Sequence, residues 1–589
     1  MSEAQNNPFD LPGLNLPIHH KPEHDWSGFI CGNALDSDDI EAGLCGYIFT
    51  LRELAMMQIM EMVTDKPDWE KKVYDDEIRN KWRDEISQSG QDITAAMIDY
   101  IFEELQWKAE KYKKTGLVVA YDPGVVKSDV AIPPDLQQKL REAVKPLEDV
   151  PEQEKDYHPR SGGKVVDLVH PSLFPLVYGR TRVLRDTLIG VDDCFGSEGQ
   201  GEPLDVPDKV ETPRRRGYQW GDSATYSKTF QWLPCNVEFT ADGECRIASY
   251  INNLHPAKHR DLYSVIEQIL TRTLPLWNIS LTRDSSIPRR IGYTDVEYQS
   301  DGEPEPQPEN DDDYDSDAYW DRHQEWQDSR LVVQPEPGDF KPLADTTDVE
   351  LHPDFKEKGF QVIVKLANIE LTPEKPEYEG GSWHIEGQLN ERICATAIYY
   401  YDSENITDNT LSFRHRADNE YVRDVSYEQG QFQFLRVFGF EPDVGNDWSG
   451  FEFTQNLGGV STRPGRLLTF PNTLQHRVSP FSLTDRSKPG HRKILALFLI
   501  DPNRRVISTA NVPPQREDWC NEWKEAVYDS LAPRLPVELQ QMVHKNTDFV
   551  PMTLDEAKKY RLELMDERSV QSELGNGAFQ SGGFSLCEH

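Results

Sequence analysis

The chain has 589 residues, of which 102 are Asp or Glu and 63 are Lys or Arg, so its formal net charge at pH 7 is −39. A surface this acidic repels phosphate groups, which argues against nucleic acid and anionic membranes as partners. No apolar stretch is long enough to span a bilayer and no signal peptide is evident, so we expect a soluble, cytoplasmic protein, with the nucleus left open. The 8 cysteines include no Cys-x-x-Cys pair, so neither a zinc finger nor a disulfide framework is predicted.

Helices dominate the first part of the chain, after a polar, Pro-rich arm at 1–25. A buried strand is predicted over 117–121, and Asp242-Gly243 predicts the turn of a β-hairpin over 231–251, because Asp-Gly supplies the positive φ angles of a tight turn. Apolar residues at helical spacing predict helices over 51–63, 94–115, 134–144 and 258–276. We find no pattern typical of catalysis in these elements.

Composition changes sharply over 300–330, where Pro and acidic residues dominate. Such a segment buries too little apolar surface to order itself, so we predict a disordered acidic insertion. Trp320 and Trp326 indicate that its far end rejoins ordered structure. Attraction of a basic partner or substrate is a second interpretation.

Short segments rich in β-branched and aromatic residues follow Gly359, and turn residues separate them. Many short strands at this spacing are typical of a double-sheet jelly roll. The predicted strands are 360–369, 382–387, 392–401, 410–415, 431–438, 459–461, 466–470, 476–481 and 492–499. The helices predicted after them are 516–531, 537–544 and 554–570.

The predicted fold class is α+β, with a jelly-roll core, a helical N-terminal region and flanking C-terminal helices. The chain then divides into a flexible arm (1–25), a helical or mixed region (26–230), a supporting hairpin and helix (231–299), the acidic insertion (300–330), the core (331–510), C-terminal helices (511–570) and a disordered tail (571–589). The sequence predicts no oligomeric state.

A His-x-Glu pair within the predicted strands is the strongest chemical signal. Of the four His-x-acid matches in the chain, only His384 and Glu386 lie on a predicted strand. Residues two apart on a strand project from the same face and can bind one ion. His476, which follows the predicted strand 466–470, is the third candidate ligand. Two histidines and one carboxylate leave open positions on a metal, which is typical of non-haem Fe(II) oxygenases.

Arg492 is a candidate for binding an anion. It begins an apolar strand, where a lone charge needs a partner. A planar guanidinium pairs with a carboxylate through two parallel hydrogen bonds and keeps its charge when buried.

The segment 381–501 resembles the catalytic core of Fe(II)/2-oxoglutarate-dependent dioxygenases, and the stretches 392–401 and 492–501 are similar to the matching strands of prolyl hydroxylases. The resemblance implies a double-stranded β-helix in which His384, Glu386 and His476 hold Fe(II). It also implies that Arg492 binds the far carboxylate of 2-oxoglutarate. Two departures from the pattern are that Glu386 stands where Asp is commoner and that no Arg-x-Ser follows.

Tyr400 is a further candidate that the same resemblance implies. Its hydroxyl would contact the carboxylate that Arg492 binds. An ordinary aromatic residue on a sheet face is an equally good interpretation, so both are kept.

The chain, apart from its tails, also resembles a group of large fungal proteins catalogued by a domain of unknown function. The implied reaction uses O₂ and 2-oxoglutarate, releases succinate and CO₂, and oxidises a small molecule or a protein side chain. Two other classes stay open: a jelly-roll binding or scaffold protein without turnover, and a JmjC-like protein demethylase that binds 2-oxoglutarate through a lysine such as Lys493.

Overall fold

The fold is described from a computed structural model of the chain. It describes residues 11–14, 34, 48–206, 226–282, 289–342 except 301 and 315, 347, 349–417, 425–427, 432–441, 451–452, 454–522 and 550–582. Outside these residues lie most of the arm at 1–25, the predicted helix 537–544, the part of the predicted helix 516–531 after 522, and the end of the tail. Residues 11–14 lie against the body, where the Arg505 guanidinium donates to the carbonyl oxygens of Leu11 and Gly13 at 3.0 and 2.6 Å.

The helices form an N-terminal group, a central pair and one long C-terminal element. In chain order they are α1 (Leu51–Thr64), α2 (Trp69–Lys72), α3 (Asp76–Ser87), α4 (Ala95–Thr115), α5 (Pro134–Glu148), α6 (Arg260–Leu281), α7 (Asp311–Tyr314), α8 (Asp317–Ser329), α9 (Leu351–Phe355) and α10 (Leu554–Gln580). Short 3₁₀ helices span Glu152–Glu154, Cys194–Ser197 and Gln433–Phe438. Among these described helices, none offers a stretch both long and apolar enough to cross a membrane.

Local sequence sets the ends of the predicted helices α1 and α4. The Thr50 side chain accepts from the backbone N–H of Glu53 at 3.1 Å, and the Glu53 carboxylate accepts from the backbone N–H of Thr50 at 3.2 Å. This reciprocal pair satisfies two N–H groups that the first turn leaves free. Helix α4 ends at Gly116, whose φ of +70° is a conformation that glycine adopts without strain.

The strands are short before residue 360 and long after it. In chain order they are β1 (Val118–Tyr121), β2 (Val125–Ser128), β3 (Val165–Val169), β4 (Leu176–Val177), β5 (Arg182–Val183), β6 (Glu202–Pro203), β7 (Phe230–Gln231), β8 (Cys235–Phe239), β9 (Cys245–Ile247), β10 (Phe360–Leu371), β11 (Glu377–Tyr378), β12 (Ile393–Glu404), β13 (Thr410–Arg416), β14 (Phe451–Glu452), β15 (Thr454–Ser461), β16 (Leu467–Pro471), β17 (Gln475–Val478), β18 (Phe481–Ser482), β19 (Gly490–Ile500) and β20 (Ser581–Gly582).

The largest sheet is antiparallel, with the order β1-β2-β16-β12-β19-β10-β8-β9 and with β3 also paired to β10. Strand β19 is paired along both edges, to β10 and to β12, so its register is fixed from two sides. The predicted hairpin is formed by β8 and β9, and Gly243 in its turn has a φ of +81°.

A smaller antiparallel sheet, ordered β15-β13-β17, packs on one face of the large sheet. The rings of Phe413 on β13 and Phe470 on β16 lie 5.0 Å apart between the two sheets. Helix α6 covers the opposite face of the large sheet, where it contacts β2, β9, β12 and β16. The mixed α+β class is as predicted.

Gln455 on β15 fixes the N-terminal helices to the small sheet. Its side-chain amide donates to the carbonyl oxygens of Phe49 and Phe438 at 2.7 and 2.9 Å, and its oxygen accepts from the backbone N–H of Phe49 at 2.9 Å. The same oxygen lies 3.1 Å from His415 Nε2, so the buried His415 ring donates there. The start of α1 is therefore tied to the core through one buried amide.

The predicted strand over 431–438 is wrong, because Gln433–Phe438 is a 3₁₀ helix. Phe434, Leu435, Val437 and Phe438 are all buried in one small cluster. An apolar run that is buried on most sides has no distinguishing period, so the sequence pattern does not separate strand from helix here.

The acidic insertion also differs from the expectation of disorder, since α8 forms within 300–330. The Ser316 side chain caps α8 by accepting from the backbone N–H of Tyr319 at 3.1 Å. Trp320 and His323, with ring centroids 5.6 Å apart, add aromatic contact along the helix. The capping residue and the aromatic residues outweigh the acidic composition over this part.

The frayed tail predicted from 571 begins later than expected, because α10 continues to Gln580. Phe579 is buried, and Asn576 forms hydrogen bonds to the core. These long-range contacts stabilise the last turns of the helix and leave no signal in local composition.

We predict that His415 makes the fold less stable in mild acid. Burial lowers the pKa of His415 to about 4, so the unfolded chain, with an ordinary His pKa near 6.5, binds the extra proton between these values. Lowering the pH from 6.5 to 4 should therefore reduce the free energy of unfolding by up to about 3 kcal/mol from this residue. Urea unfolding at pH 7 and pH 4.5 should show a smaller loss in His415→Gln than in the wild type, and an equal loss would contradict the assignment.

Candidate functional site

A backbone bridge brings the predicted ligands together. The His384 N–H donates to the His476 carbonyl at 3.2 Å, and the His476 N–H donates to the His384 carbonyl at 3.1 Å. The predicted strand over 382–387 is reduced to this bridge, because Gly387 turns the chain away with a φ of +69°. Glu386, two residues after His384, then faces both imidazoles.

The three side chains form a compact cluster of possible ligand atoms. Glu386 Oε1 lies 3.3 Å from His476 Nε2 and 3.7 Å from His384 Nε2. The ligand atoms of all three residues lie within 4.8 Å of one another. Two atoms bound to one ion at right angles, each at about 2.1 Å, lie about 3 Å apart, so this cluster needs little movement to hold a metal.

Hydrogen bonds and charge set the state of each ligand. His384 Nδ1 lies 2.8 Å from the Ser382 carbonyl and donates to it, which directs Nε2 at the cluster. Burial lowers the pKa of His384, but its hydrogen bond with Glu386 and the charge of that carboxylate raise it above its usual value. Burial raises the pKa of Glu386, but its hydrogen bonds with the two histidines lower it by more. The pKa of Glu386 is therefore well below its usual value. Burial and the charge of His384 lower the pKa of His476 to about 4. At neutral pH the cluster thus offers an ionised carboxylate and a neutral His476.

Access to the cluster is one-sided. The His476 side chain keeps 4% of its surface exposed and Glu386 keeps 15%, whereas His384 keeps 34%. A ligand therefore approaches from the side of His384.

Asn472 holds the backbone of Glu386 from both directions. Its side-chain oxygen accepts from the Glu386 N–H at 3.0 Å, and its amide donates to the Glu386 carbonyl at 3.0 Å. The same amide donates to the carbonyl of Ile393, at the start of β12. Sequence analysis missed Asn472, since an Asn in the turn after β16 has no pattern of its own.

Asn576 on α10 joins the residues that precede the two histidines. Its amide donates to the carbonyl of Trp383 at 3.0 Å, and its side-chain oxygen accepts from Gln475 at 2.6 Å. Helix α10 therefore fixes the spacing of the two ligand-bearing segments. Its contribution was also missed, because the tail was expected to be disordered.

Arg492 is buried on the face of β19 that meets the small sheet, and it lacks an acidic partner within the described residues. One nitrogen donates to Asn409 at 2.7 Å, while the buried Nε has no partner there. The guanidinium carbon lies 5.0 Å from the Phe481 ring. A guanidinium has five N–H donors, so most of them are free to bind a ligand. Burial lowers the pKa of Arg492, which reflects the cost of holding its charge unpaired.

Tyr400 lies beside Arg492 on the same face of the large sheet. Its ring centre is 5.7 Å from the guanidinium carbon, within the range of a cation–π contact. Burial raises the pKa of Tyr400 to about 12, so its hydroxyl stays protonated and able to donate. The hydroxyl contact with a ligand stays a prediction.

A second group, formed by His158, Asp167 and His170, has its ligand atoms equally close together. His170 Nδ1 accepts from the backbone N–H of Ser172 at 3.2 Å, so the proton of the neutral ring is on Nε2. Arg561 also lies 3.6 Å from the Asp167 carboxylate. A protonated nitrogen and a nearby cation both oppose metal binding, so we interpret His170 as a hydrogen-bonded structural residue.

The fold and the site define an α+β protein with a candidate metal site beside two packed antiparallel sheets. A family model described as "Protein of unknown function (DUF4246)" matches residues 95–523, and the model of its N-terminal domain matches residues 11–85. The chain therefore belongs to the DUF4246 family. Helix α10 follows the matched residues. A search of curated proteins finds no match.

Solved structures show local likenesses. IDO from Bacillus thuringiensis matches 24% of this chain and 47% of its own, with 13% identity and a TM-score of 0.14. The Fe(II)/(alpha)ketoglutarate-dependent dioxygenase TqaL matches 24% and 42%, with 14% identity and a TM-score of 0.14. EvdO2 from Micromonospora carbonacea var. aurantiaca, solved with 2-oxoglutarate, matches 25% and 58%, with 11% identity and a TM-score of 0.12. The chain spans about half the length of these proteins.

Replacing Asn576 by Ala should weaken metal binding without unfolding the chain. Loss of the contacts with Trp383 and Gln475 frees the two ligand-bearing segments, and loss of such supporting contacts typically weakens metal affinity about tenfold or more. Titration with Mn(II) under argon measures this affinity. Ser572→Ala, an exposed change on the same helix, is the matched control. Equal affinities in the two variants would show that α10 does not position the ligands.

Proposed function

We propose that this chain is an Fe(II)/2-oxoglutarate-dependent oxygenase. The observation that carries the proposal is the convergence of His384, Glu386 and His476, whose ligand atoms lie within 4.8 Å of one another. Two histidines and one carboxylate occupy one face of an ion and leave the other positions open, which suits a chelating cosubstrate and O₂.

The donor set fits ferrous iron on its chemistry. Neutral imidazole and ionised carboxylate are ligands that suit Fe(II), and no thiolate takes part. Glu386 is kept ionised by the two histidines, and His384 directs Nε2 at the cluster because Nδ1 is engaged with Ser382. These residues are therefore ready to bind a cation without a change of protonation at Glu386.

The strand pairing supports a double-stranded β-helix as the core. Strands β10, β12, β16 and β19 lie in the large sheet, while β13, β15, β17 and the bridge at His384 lie in the small one. The chain passes from β10 in the large sheet to the bridge in the small sheet, returns to the large sheet at β12, and enters the small sheet again at β13 and β15. It then runs to β16 in the large sheet, to β17 in the small sheet and to β19 in the large sheet. This alternation is what a jelly roll requires.

Arg492 is the residue that we assign to the far carboxylate of 2-oxoglutarate. A buried guanidinium without an acidic partner in the described part of the chain is costly, and a bound carboxylate removes that cost. Two parallel N–H groups match the two oxygens of a carboxylate. Tyr400, on the neighbouring strand β12, would donate its hydroxyl to the same group.

The protein's own part in the reaction is to position and protect. Bound Fe(II) with 2-oxoglutarate and O₂ supplies the oxidising chemistry, with release of succinate and CO₂. Asn472 and Asn576 hold the ligand-bearing backbone in place. The apolar rings of Phe413 and Phe470 exclude water from the space behind His476.

A JmjC-like site with Lys493 as the cosubstrate residue is not favoured by the geometry. Lys493 lies on the opposite face of β19 from Arg492 and pairs with Glu148 at 2.9 Å. Its ammonium is thus engaged on the helix-covered side of the sheet.

Anaerobic addition of Fe(II) and 2-oxoglutarate tests the function. We expect a visible charge-transfer band in the wild type and its loss in His476→Ala, because that change removes one of three ligands. Circular dichroism should show that the variant is folded. Absence of the band in the wild type would favour a binding protein without turnover, and normal succinate release in His476→Ala would rule out the site.

Arg492→Ala should separate cosubstrate binding from metal binding. A charge-assisted contact of this kind contributes about 1.5–3 kcal/mol, so the 2-oxoglutarate midpoint should rise roughly 10- to 100-fold while Mn(II) still binds. Lys493→Ala, at the next residue on the opposite face, is the matched control and should keep the wild-type midpoint. A larger effect in the control would contradict the assignment to Arg492.

A further inference from the structure

Helix α8 presents a row of acidic side chains to solvent. Asp317, Asp321 and Glu325 follow one another at four-residue intervals, so they lie along one side of the helix, and all three are exposed. None of them forms an ion pair with a residue that the structure describes, and the one arginine of the helix, Arg322, pairs with Asp313 at 2.8 Å. Like charges four residues apart destabilise a helix, so the row favours a cationic partner.

Two aromatic rings are exposed beside the acidic row. Trp320, which directly precedes Asp321, keeps 48% of its surface exposed, and Tyr314 in α7 keeps 50%. The centroids of these two rings are 5.5 Å apart, so they form one patch and not two scattered residues. Exposed tryptophan and tyrosine side chains supply much of the binding free energy in protein interfaces. The patch therefore adds an apolar contact to the charge of the row.

Contacts with the rest of the fold hold the helix in place. On the side of α8 away from the acidic row, Tyr319 is buried, and its ring centroid lies 5.2 Å from that of Trp320. Near the end of the helix, the side-chain amide of the buried Gln433 donates to the Asp328 carboxylate at 3.2 Å. A partner would therefore bind a surface whose backbone is already ordered, which lowers the entropic cost of association.

These features determine the chemistry of the partner. Carboxylates spaced along a helix attract lysine or arginine, and the exposed ring of Trp320 offers such a side chain a cation–π contact and an apolar contact with its stem. The phosphates of a nucleic acid or of an anionic membrane would be repelled. A second copy of this chain would bring the same acidic row to a symmetric interface, so self-association on this face is disfavoured too.

We propose that Tyr314, Asp317, Trp320, Asp321 and Glu325 form a docking surface for a basic segment of a partner protein. Lysine or arginine side chains of that segment pair with the three carboxylates, and an aliphatic side chain or stem packs on the two rings. Binding replaces the repulsion within the row by attraction and covers the exposed rings. This inference goes beyond the proposed oxygenase function and does not depend on it.

Binding of a designed peptide to the full chain tests the inference. The probe is a fluorescent peptide of leucine and alanine that carries lysine at every fourth position, which matches the spacing of the acidic row. We expect saturable binding by fluorescence anisotropy, and we expect added sodium chloride to weaken it, because salt screens the charges. A peptide with glutamate in place of lysine should not bind.

Two variants separate the aromatic contact from the charge. Trp320→Ala should weaken peptide binding about tenfold, because it removes the aromatic side chain at the centre of the surface. The triple variant Asp317→Asn/Asp321→Asn/Glu325→Gln should weaken it roughly tenfold or more and should reduce its dependence on salt. All of these side chains are at the surface, and thermal unfolding should show that both variants are folded.

A control variant removes the same amount of charge elsewhere. Glu77→Gln/Asp84→Asn/Glu103→Gln neutralises three exposed acidic residues on α3 and α4. It should keep the wild-type affinity for the peptide. An equal loss in this control would show that the peptide senses only the net charge of −39.

Other results would also overturn the inference. They are equal affinity of the wild type and Trp320→Ala, equally tight binding of the glutamate peptide, and no saturable binding by the wild type. Tighter binding after Arg214, Arg215 and Arg216 are replaced by alanine would identify this arginine run, outside the described residues, as the occupant in place of a partner protein.

Discussion

The site depends on the two hydrogen bonds that join the backbones of His384 and His476. They connect segments that are far apart in the chain and set the directions in which both imidazoles leave the backbone. Glu386 follows on the same side because only one residue separates it from His384. A metal site needs its ligands held within a fraction of an ångström, and a paired backbone achieves this better than side-chain contacts alone.

Two asparagines extend that constraint to the rest of the molecule. Asn472 connects the Glu386 backbone to the start of β12 in the large sheet, and Asn576 connects the bridge to the C-terminal helix. The candidate site is thus held by the large sheet on one side and by α10 on the other. Neither asparagine is near the histidines in sequence.

The grouping of the three candidate ligands was predictable because it follows from a local rule. His384 and Glu386 could be selected from four similar pairs by the strand spacing around them, and Arg492 by its place at the head of an apolar strand. Asn576 could not, since its role comes from tertiary contacts that leave no mark on neighbouring residues. The 3₁₀ helix at Gln433–Phe438 was mistaken for a strand because a buried apolar run has no period.

The pairing of β19 on both edges has a consequence for how the chain can vary. Arg492 faces the small sheet and Lys493 the outer helices, so a slip of one residue would exchange a guanidinium for an ammonium between the two sheets. The hydrogen bonds to β10 and to β12 oppose such a slip. Insertions and deletions in the loop before Gly490 can therefore change its length without changing which cation faces the small sheet.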